Sequence, residues 1–177
     1  MSARLLSLVP LVAVAACSET PAAPPLTLAV CHPVAARPDS ELLGRVPLWS
    51  LDAAPTLTPE QERLVASLRA QPTTAGLHVA RLSPSADSLL QLGNEVVLTV
   101  SPSRSVVAFG DQVTRRGPND VSWSGPIDNI VGQATLVLTG VGVTGTLQSG
   151  NAVYSFAPLG GGLEALTCID ASKFGPD

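Results

Sequence analysis

Residues 115–174 read RRGPNDVSWSGPIDNIVGQATLVLTGVGVTGTLQSGNAVYSFAPLGGGLEALTCIDASKF, and this stretch decides the fold. It is built from short apolar runs rich in Val, Thr and Leu, each of strand length, separated by turn residues. Glycine and asparagine reach positive φ at little cost, so the separators predict hairpin turns. Because such short links can join only antiparallel neighbours, the stretch predicts a β-meander. The four links are Pro118-Asn119-Asp120, Gly140-Val141-Gly142, Ser149-Gly150-Asn151 and Gly160-Gly161-Gly162.

The composition of the whole chain agrees with one mainly-β domain behind a leader. The chain has 177 residues, of which 45% are hydrophobic but only 3% aromatic, so Val, Leu and Ala must form most of the core. Sixteen Pro and 15 Gly argue against long helices. A net charge of -4 gives no reason to expect nucleic-acid binding, which needs basic patches. We predict an antiparallel meander, arranged as a sandwich or an open half-barrel, with one or two short helices.

Several elements are predicted ahead of the meander. Thr58 is a good N-cap, Pro59 suits the first helical position and Gln61 completes a capping box, so residues 58–70 predict a helix with Leu64, Val65 and Leu68 on one face. Gly110 within the last strand of this region predicts a bulge or a close approach of another group. The other elements expected are strands at residues 26–30, 76–82, 95–101 and 104–114, a short helix over 83–92 and a proline-broken loop over 32–55.

The first residues have the pattern of an export signal. Arg4 precedes an apolar stretch that is too short to span a bilayer, as is typical of a secretory leader. Val14-Ala15-Ala16-Cys17 resembles the bacterial lipobox, in which the cysteine thiol is acylated and the leader is cut before it. An ordinary signal peptide with a chance cysteine is the alternative. We expect a lipoprotein signal peptide over 1–16, lipidation at Cys17, a flexible proline-rich tether over 17–25 and one domain over 26–177.

The lipid at Cys17 would place the protein in the bacterial cell envelope. Ser18 after the cysteine resembles sorting to the outer membrane. Export would expose the remaining cysteines, Cys31 and Cys168, to an oxidising compartment, so a disulfide between them is predicted. Two free thiols or a metal site with His32 are the alternatives, and a zinc site lacks a full set of ligands at suitable spacing.

No motif for catalysis or cofactor binding occurs in the sequence. It contains no HExxH, no GxSxG, no phosphate-binding loop and no GxGxxG after a strand. His78 lies among the alternating residues of a predicted strand, and it has no recognisable partner that would make it a catalytic base. We therefore expect no catalytic residues, no metal, no cofactor and no enzymatic activity.

A series of local patterns resembles the N-terminal propeptide of bacterial reprolysin-like and peptidyl-Asp zinc metalloproteases. The resemblance runs from residue 77 to residue 174, and the motifs keep the order and spacing of that family. Its members place a catalytic domain with HExxH after this block, and they carry a histidine where this chain has Glu164. The motifs are His78-Val-Ala-Arg81-Leu, Val97-Leu-Thr-Val, Arg115-Arg-Gly, Ser122-Trp123-Ser-Gly125, Ala134-Thr-Leu-Val-Leu, Val143-Thr-Gly145-Thr-Leu, Tyr154-Ser-Phe, Gly161-Gly-Leu163-Glu-Ala-Leu and Ile169-Asp170-Ala-Ser-Lys173-Phe174.

The resemblance implies a propeptide-like binding domain without the protease. Exposed strand edges and hairpin loops of such a domain can add a strand to a partner protein. We therefore expect a membrane-anchored module that binds a zinc metalloprotease, as its chaperone or inhibitor, or another envelope protein. The alternatives are a structural envelope lipoprotein and the remnant of a zinc metalloprotease precursor.

Overall fold

The computed structural model describes Cys31 and residues 37–42, 44–102, 104–127, 131–150 and 152–173. The predicted signal peptide, tether and strand at 26–30 lie outside these residues. The described α-helices are α1 (Pro59–Arg69) and α2 (Ala86–Leu89). The described strands are β1 (Arg37–Pro38), β2 (Trp49–Leu51), β3 (Thr74–Leu82), β4 (Glu95–Ser101), β5 (Arg104–Phe109), β6 (Gln112–Gly117), β7 (Asp120–Pro126), β8 (Gly132–Thr139), β9 (Gly142–Ser149), β10 (Ala152–Gly160) and β11 (Leu163–Ile169).

Eight of these strands form one antiparallel sheet that curls into a half-barrel. Its order is β2-β3-β11-β10-β9-β8-β7-β6, and β6 to β11 follow one another both along the chain and across the sheet. The predicted meander and fold class are therefore confirmed. The turns use the backbone freedom that the sequence indicated: Asn119 has a φ of 54° between β6 and β7, and Gly161 has a φ of 63° between β10 and β11.

A smaller sheet, in the order β1-β5-β4, packs against one face of the curled sheet. The edge strand β2 joins the two, because the Trp49 indole Nε1 donates a 2.7 Å hydrogen bond to the Thr99 carbonyl on β4. The Trp49 ring also lies 4.6 Å from the Phe156 ring, measured between centroids. The buried side chains of this core include Leu98, Val106, Ala108, Trp123, Leu136, Leu147, Tyr154 and Leu166.

Helix α1 covers part of the opposite face of the curled sheet. Its predicted capping box is confirmed, since Thr58 and Gln61 each bond the other's backbone N–H. The Gln61 side chain also donates to the carbonyls of Leu159 and Gly160, which fixes the helix start to the β10–β11 hairpin. Val65 is buried against β3 and β11, but Leu64 is 41% exposed, so the prediction that Leu64 shares the packed face is wrong.

The predicted single strand over 104–114 is wrong, because the chain changes sheets at Gly110. β5 ends at Phe109 in the small sheet and β6 begins at Gln112 in the curled sheet. Gly110 lies directly against the Trp123 indole, where an added Cβ would lie 2.5 Å from Nε1. The predicted close approach at Gly110 is therefore confirmed, and the chain passes from one sheet to the other there.

Two further expectations are corrected. The proline-broken loop over 32–55 contains the short strands β1 and β2, and Leu48 and Trp49 within it are fully buried. Burial of these two apolar side chains overrides the local turn signals. The helix expected over 83–92 is a single turn, α2, whose N-cap Ser85 makes no side-chain capping bond.

Candidate functional site

The curled sheet has a long open edge at β6. Within the described residues β6 pairs with β7 and with no other strand, so one side of its six-residue backbone directs N–H and C=O groups away from the sheet. The opposite edge strand, β2, has only three residues. Gln112, Thr114, Arg115 and Arg116 along β6 are exposed. An open strand edge is a template on which another extended chain can pair.

Two arginines of β6 are engaged within the protein. Arg115 donates to the Asp87 carboxylate at 2.5 Å and to the Asp87 carbonyl at 3.0 Å, which ties β6 to α2. Arg116 donates to Asp120 at 3.2 Å and to the Ser122 hydroxyl at 3.1 Å. These contacts hold the edge strand in place through its side chains and leave its outer backbone groups open.

A cavity of about 280 Å³ lies beside the C-terminal end of β6, at one end of the half-barrel. Its wall combines α2 with the turns that close this end, so it is contiguous with the edge strand through Asp87 and Asn119. The mouths of β-barrels are frequent ligand sites. The other lining residues are Leu82, Ser83, Pro84, Ala86, Leu138, Thr139, Gly140, Val141, Gly142 and Gly162.

A buried carboxyl lies behind one wall of this cavity. Glu164 on β11 is fully buried, and its Oε1 accepts a 2.9 Å hydrogen bond from the Val143 N–H. Its Oε2 has no hydrogen-bond partner in the described chain. Burial raises the pKa of this carboxyl from 4.5 to about 7, against the opposing effect of the Val143 bond. The sequence analysis identifies Glu164 only as the residue that stands in place of a motif histidine. An acidic residue between apolar neighbours of a strand is itself a signal of a buried carboxyl.

The predicted cysteine pair is found at the other end of β11. Cys31 and Cys168 form a disulfide with a Cα–Cα distance of 6.3 Å. The Tyr154 hydroxyl donates to the Cys31 carbonyl at 3.3 Å, and burial raises the pKa of Tyr154 to about 12. The disulfide and the cavity are thus separated by the length of β11, about 20 Å for seven residues.

The remaining predicted site residue, Cys17, lies outside the described residues. His78 is half-buried in β3, and desolvation lowers its pKa below the ordinary value. Across the described ranges, no group of three or more His, Cys, Asp or Glu residues is arranged to hold a metal ion. None of the described helices is long and apolar enough to cross a membrane.

Comparison with known proteins identifies no family for this chain. No family model matches the sequence, and no curated protein matches it. One solved structure, described as that of a chaperone-substrate complex, overlaps 56% of this chain and 86% of its own, with 14% identity and a TM-score of 0.43. A similarity at that level carries no argument about fold or function.

Proposed function

We propose that this chain is a non-enzymatic binding module, anchored to a membrane by a lipid on Cys17, that captures an extended segment of another protein along β6. The observation that supports it most is the open edge of Gln112–Gly117, which pairs on one side only within the described residues. Strand addition uses main-chain hydrogen bonds for affinity and alternate side chains for specificity. The edge is about 20 Å long, which accommodates a segment of about six residues.

The side chains of β6 support a selective use of the edge. Charged residues on an edge strand oppose uncontrolled pairing between copies of the same protein. Arg115 and Arg116 stand next to each other on β6 and pair with Asp87 and Asp120, so charged groups of both signs border this edge.

The partner class follows from the resemblance to metalloprotease propeptides. A propeptide-like domain would bind a zinc metalloprotease as a chaperone or inhibitor, and another envelope protein is the alternative partner. The lipid anchor and the tether over 17–25 would hold the module at the cell envelope, on the outer membrane. Among the described residues, the Cys31–Cys168 disulfide lies at one end of β11 and the cavity at the other.

Inhibition of a zinc metalloprotease purified from the same bacterium tests the proposal. Full-length protein in detergent is compared with the variants Val113→Pro and Thr114→Pro. Successive strand residues direct their N–H groups to opposite sides, so one of these prolines removes an outward N–H while the other removes one that pairs with β7.

We expect the proline variant that keeps the wild-type circular dichroism spectrum to bind the protease at least about 10-fold more weakly. Glu62→Ala is the control, because Glu62 is exposed on α1, which packs on β3 and β10, at least four strands from β6. It should bind as the wild type does. Equal binding by wild type and both folded proline variants would contradict the proposal.

A further inference from the structure

Glu164 is enclosed by three strands of the curled sheet. It lies opposite Ala80 of β3 and opposite Pro158 of β10, and its Oε1 reaches the Val143 N–H on β9. The side chain is 0% exposed, and in the described chain its Oε2 has no partner. A buried polar atom without a hydrogen bond costs free energy, and a buried charge costs more.

The β8–β9 turn is shaped around this carboxyl. Gly142 has a φ of +143°, and an added Cβ there would overlap the Glu164 Oε1 and come within 2.8 Å of the Pro158 Cβ. Gly142 also lines the barrel-end cavity, together with Gly140 and Val141. The turn therefore separates Glu164 from solvent by the thickness of one glycine backbone.

No lysine or arginine faces the carboxyl from the described elements packed against it. On β3, Arg81 neighbours Ala80 in sequence and so points to the other face of the sheet, where it meets Asp52. β9 carries no ionisable side chain. The titratable and charged groups on the surrounding elements are His78 and Arg81 on β3, Tyr154 on β10, Asp87 on α2 and Arg115 on β6, the last two paired with each other.

We propose that Glu164 is a proton-operated latch on the β8–β9 turn. As the neutral acid it remains buried and holds the turn at Val143. When it gives its proton to water, the carboxylate has one N–H donor and no cation, so it gains hydration by leaving the core and displacing the turn at Gly142. The cavity wall formed by Gly140, Val141 and Gly142 then opens at neutral to alkaline pH and closes in acid. This inference does not depend on the proposed binding function.

The direction of the change follows from the protonation of Glu164. Its pKa is about 7 while it is buried and returns toward 4.5 when the turn opens, so opening becomes more favourable as the pH rises from about 5 to 8. The same shift sets the size of the effect, on the order of 100-fold in the opening equilibrium. Below about pH 4.5 the carboxyl is neutral in both states, and the turn gains no further stability.

Amide hydrogen exchange at Val143 tests the latch in full-length protein in detergent. The protection factor, corrected for the intrinsic pH dependence of exchange, should fall on the order of 100-fold between pH 5 and pH 8 in the wild type. Glu164→Gln keeps an oxygen for the Val143 N–H and cannot ionise, so its protection should stay constant. Glu62→Gln, an exposed change on α1, should behave as the wild type does.

A constant wild-type protection factor would overturn the latch, and so would an equal fall in Glu164→Gln. Carbon NMR titration of the wild-type Glu164 carboxyl covers the case in which the variant does not fold. A midpoint near pH 7 supports the latch, whereas a midpoint near pH 4.5 overturns it.

Discussion

The guanidinium of Arg115 contacts Asp87 twice, once at the carboxylate Oδ1 at 2.5 Å and once at the backbone carbonyl at 3.0 Å. The two residues lie on β6 and α2, so this contact joins the open edge of the curled sheet to the helix that borders the barrel-end cavity. The pair is partly exposed, with 39% and 38% of the two side chains accessible.

Asp87→Ala removes only the carboxylate contact, whereas Arg115→Ala removes the carboxylate and the carbonyl contacts. The two substitutions should therefore differ in their effect on the free energy of unfolding. We expect Asp87→Ala to change the free energy of unfolding by less than about 0.5 kcal/mol and Arg115→Ala by about 1 kcal/mol, since solvent screens exposed ion pairs. A double-mutant cycle by urea unfolding should give a coupling energy below about 1 kcal/mol. A larger loss for Asp87→Ala than for Arg115→Ala would show that the carbonyl contact contributes nothing.

Gly142→Ala should be strongly destabilising. The added methyl meets the Glu164 carboxyl and Pro158, and the φ of +143° is strained for alanine. Strain and overpacking together predict a loss of about 3 kcal/mol in the free energy of unfolding. Gly140→Ala in the same turn is the matched control, because a Cβ at Gly140 meets no atom within 4 Å. Chemical denaturation measures both, and similar losses for the two variants would rule out this packing.

The stability of the protein should depend on pH through Glu164. Its pKa is raised from 4.5 in the unfolded chain to about 7 in the folded protein, so folding favours the protonated acid. The corresponding stability is full below about pH 4.5, falls as the pH rises and is lost above about pH 7, a total of about 3 kcal/mol. Denaturation midpoints between pH 4 and pH 8 measure it. Glu164→Gln should remove this component while Glu62→Gln keeps it, and identical curves for all three proteins would exclude it.

The Cys31–Cys168 disulfide should contribute to stability by constraining the unfolded chain. It joins residues separated by 137 positions, and a closure of that size predicts about 5 kcal/mol. We expect the double variant Cys31→Ser/Cys168→Ser to lose this amount in guanidinium unfolding. Reduced wild-type protein should unfold at the same guanidinium concentration as the double variant. If the variant unfolds at the same guanidinium midpoint as the oxidised wild type, the disulfide does not contribute to stability in this way.

The sequence predicts the parts of the fold that depend on local chemistry. Turn residues such as Asn119 and the three glycines before Leu163 identify the meander, because positive φ is a local requirement. The capping box of Thr58 and Gln61 identifies α1 for the same reason. The disulfide was also predicted, from the compartment and the number of cysteines.

Other features depend on contacts between residues that are distant in the chain, so local sequence patterns do not predict them. Trp49 lies in a strand because its indole N–H donates a hydrogen bond to the Thr99 carbonyl, 50 positions away. Gly110 separates two sheets because Trp123 packs on it. The burial of Glu164 depends on the absence of a side chain at Gly142, and sequence patterns do not show which glycine faces which strand.

Backbone amide exchange across β6 during partner binding tests the central claim most directly. The full-length protein is measured with and without the proposed partner, a zinc metalloprotease. We predict that amides of Gln112–Gly117 become protected on binding, while those of Trp49–Leu51 on the opposite edge keep their rates. Protection confined to Trp49–Leu51 or to α1, with β6 unchanged in the bound state, would contradict the account.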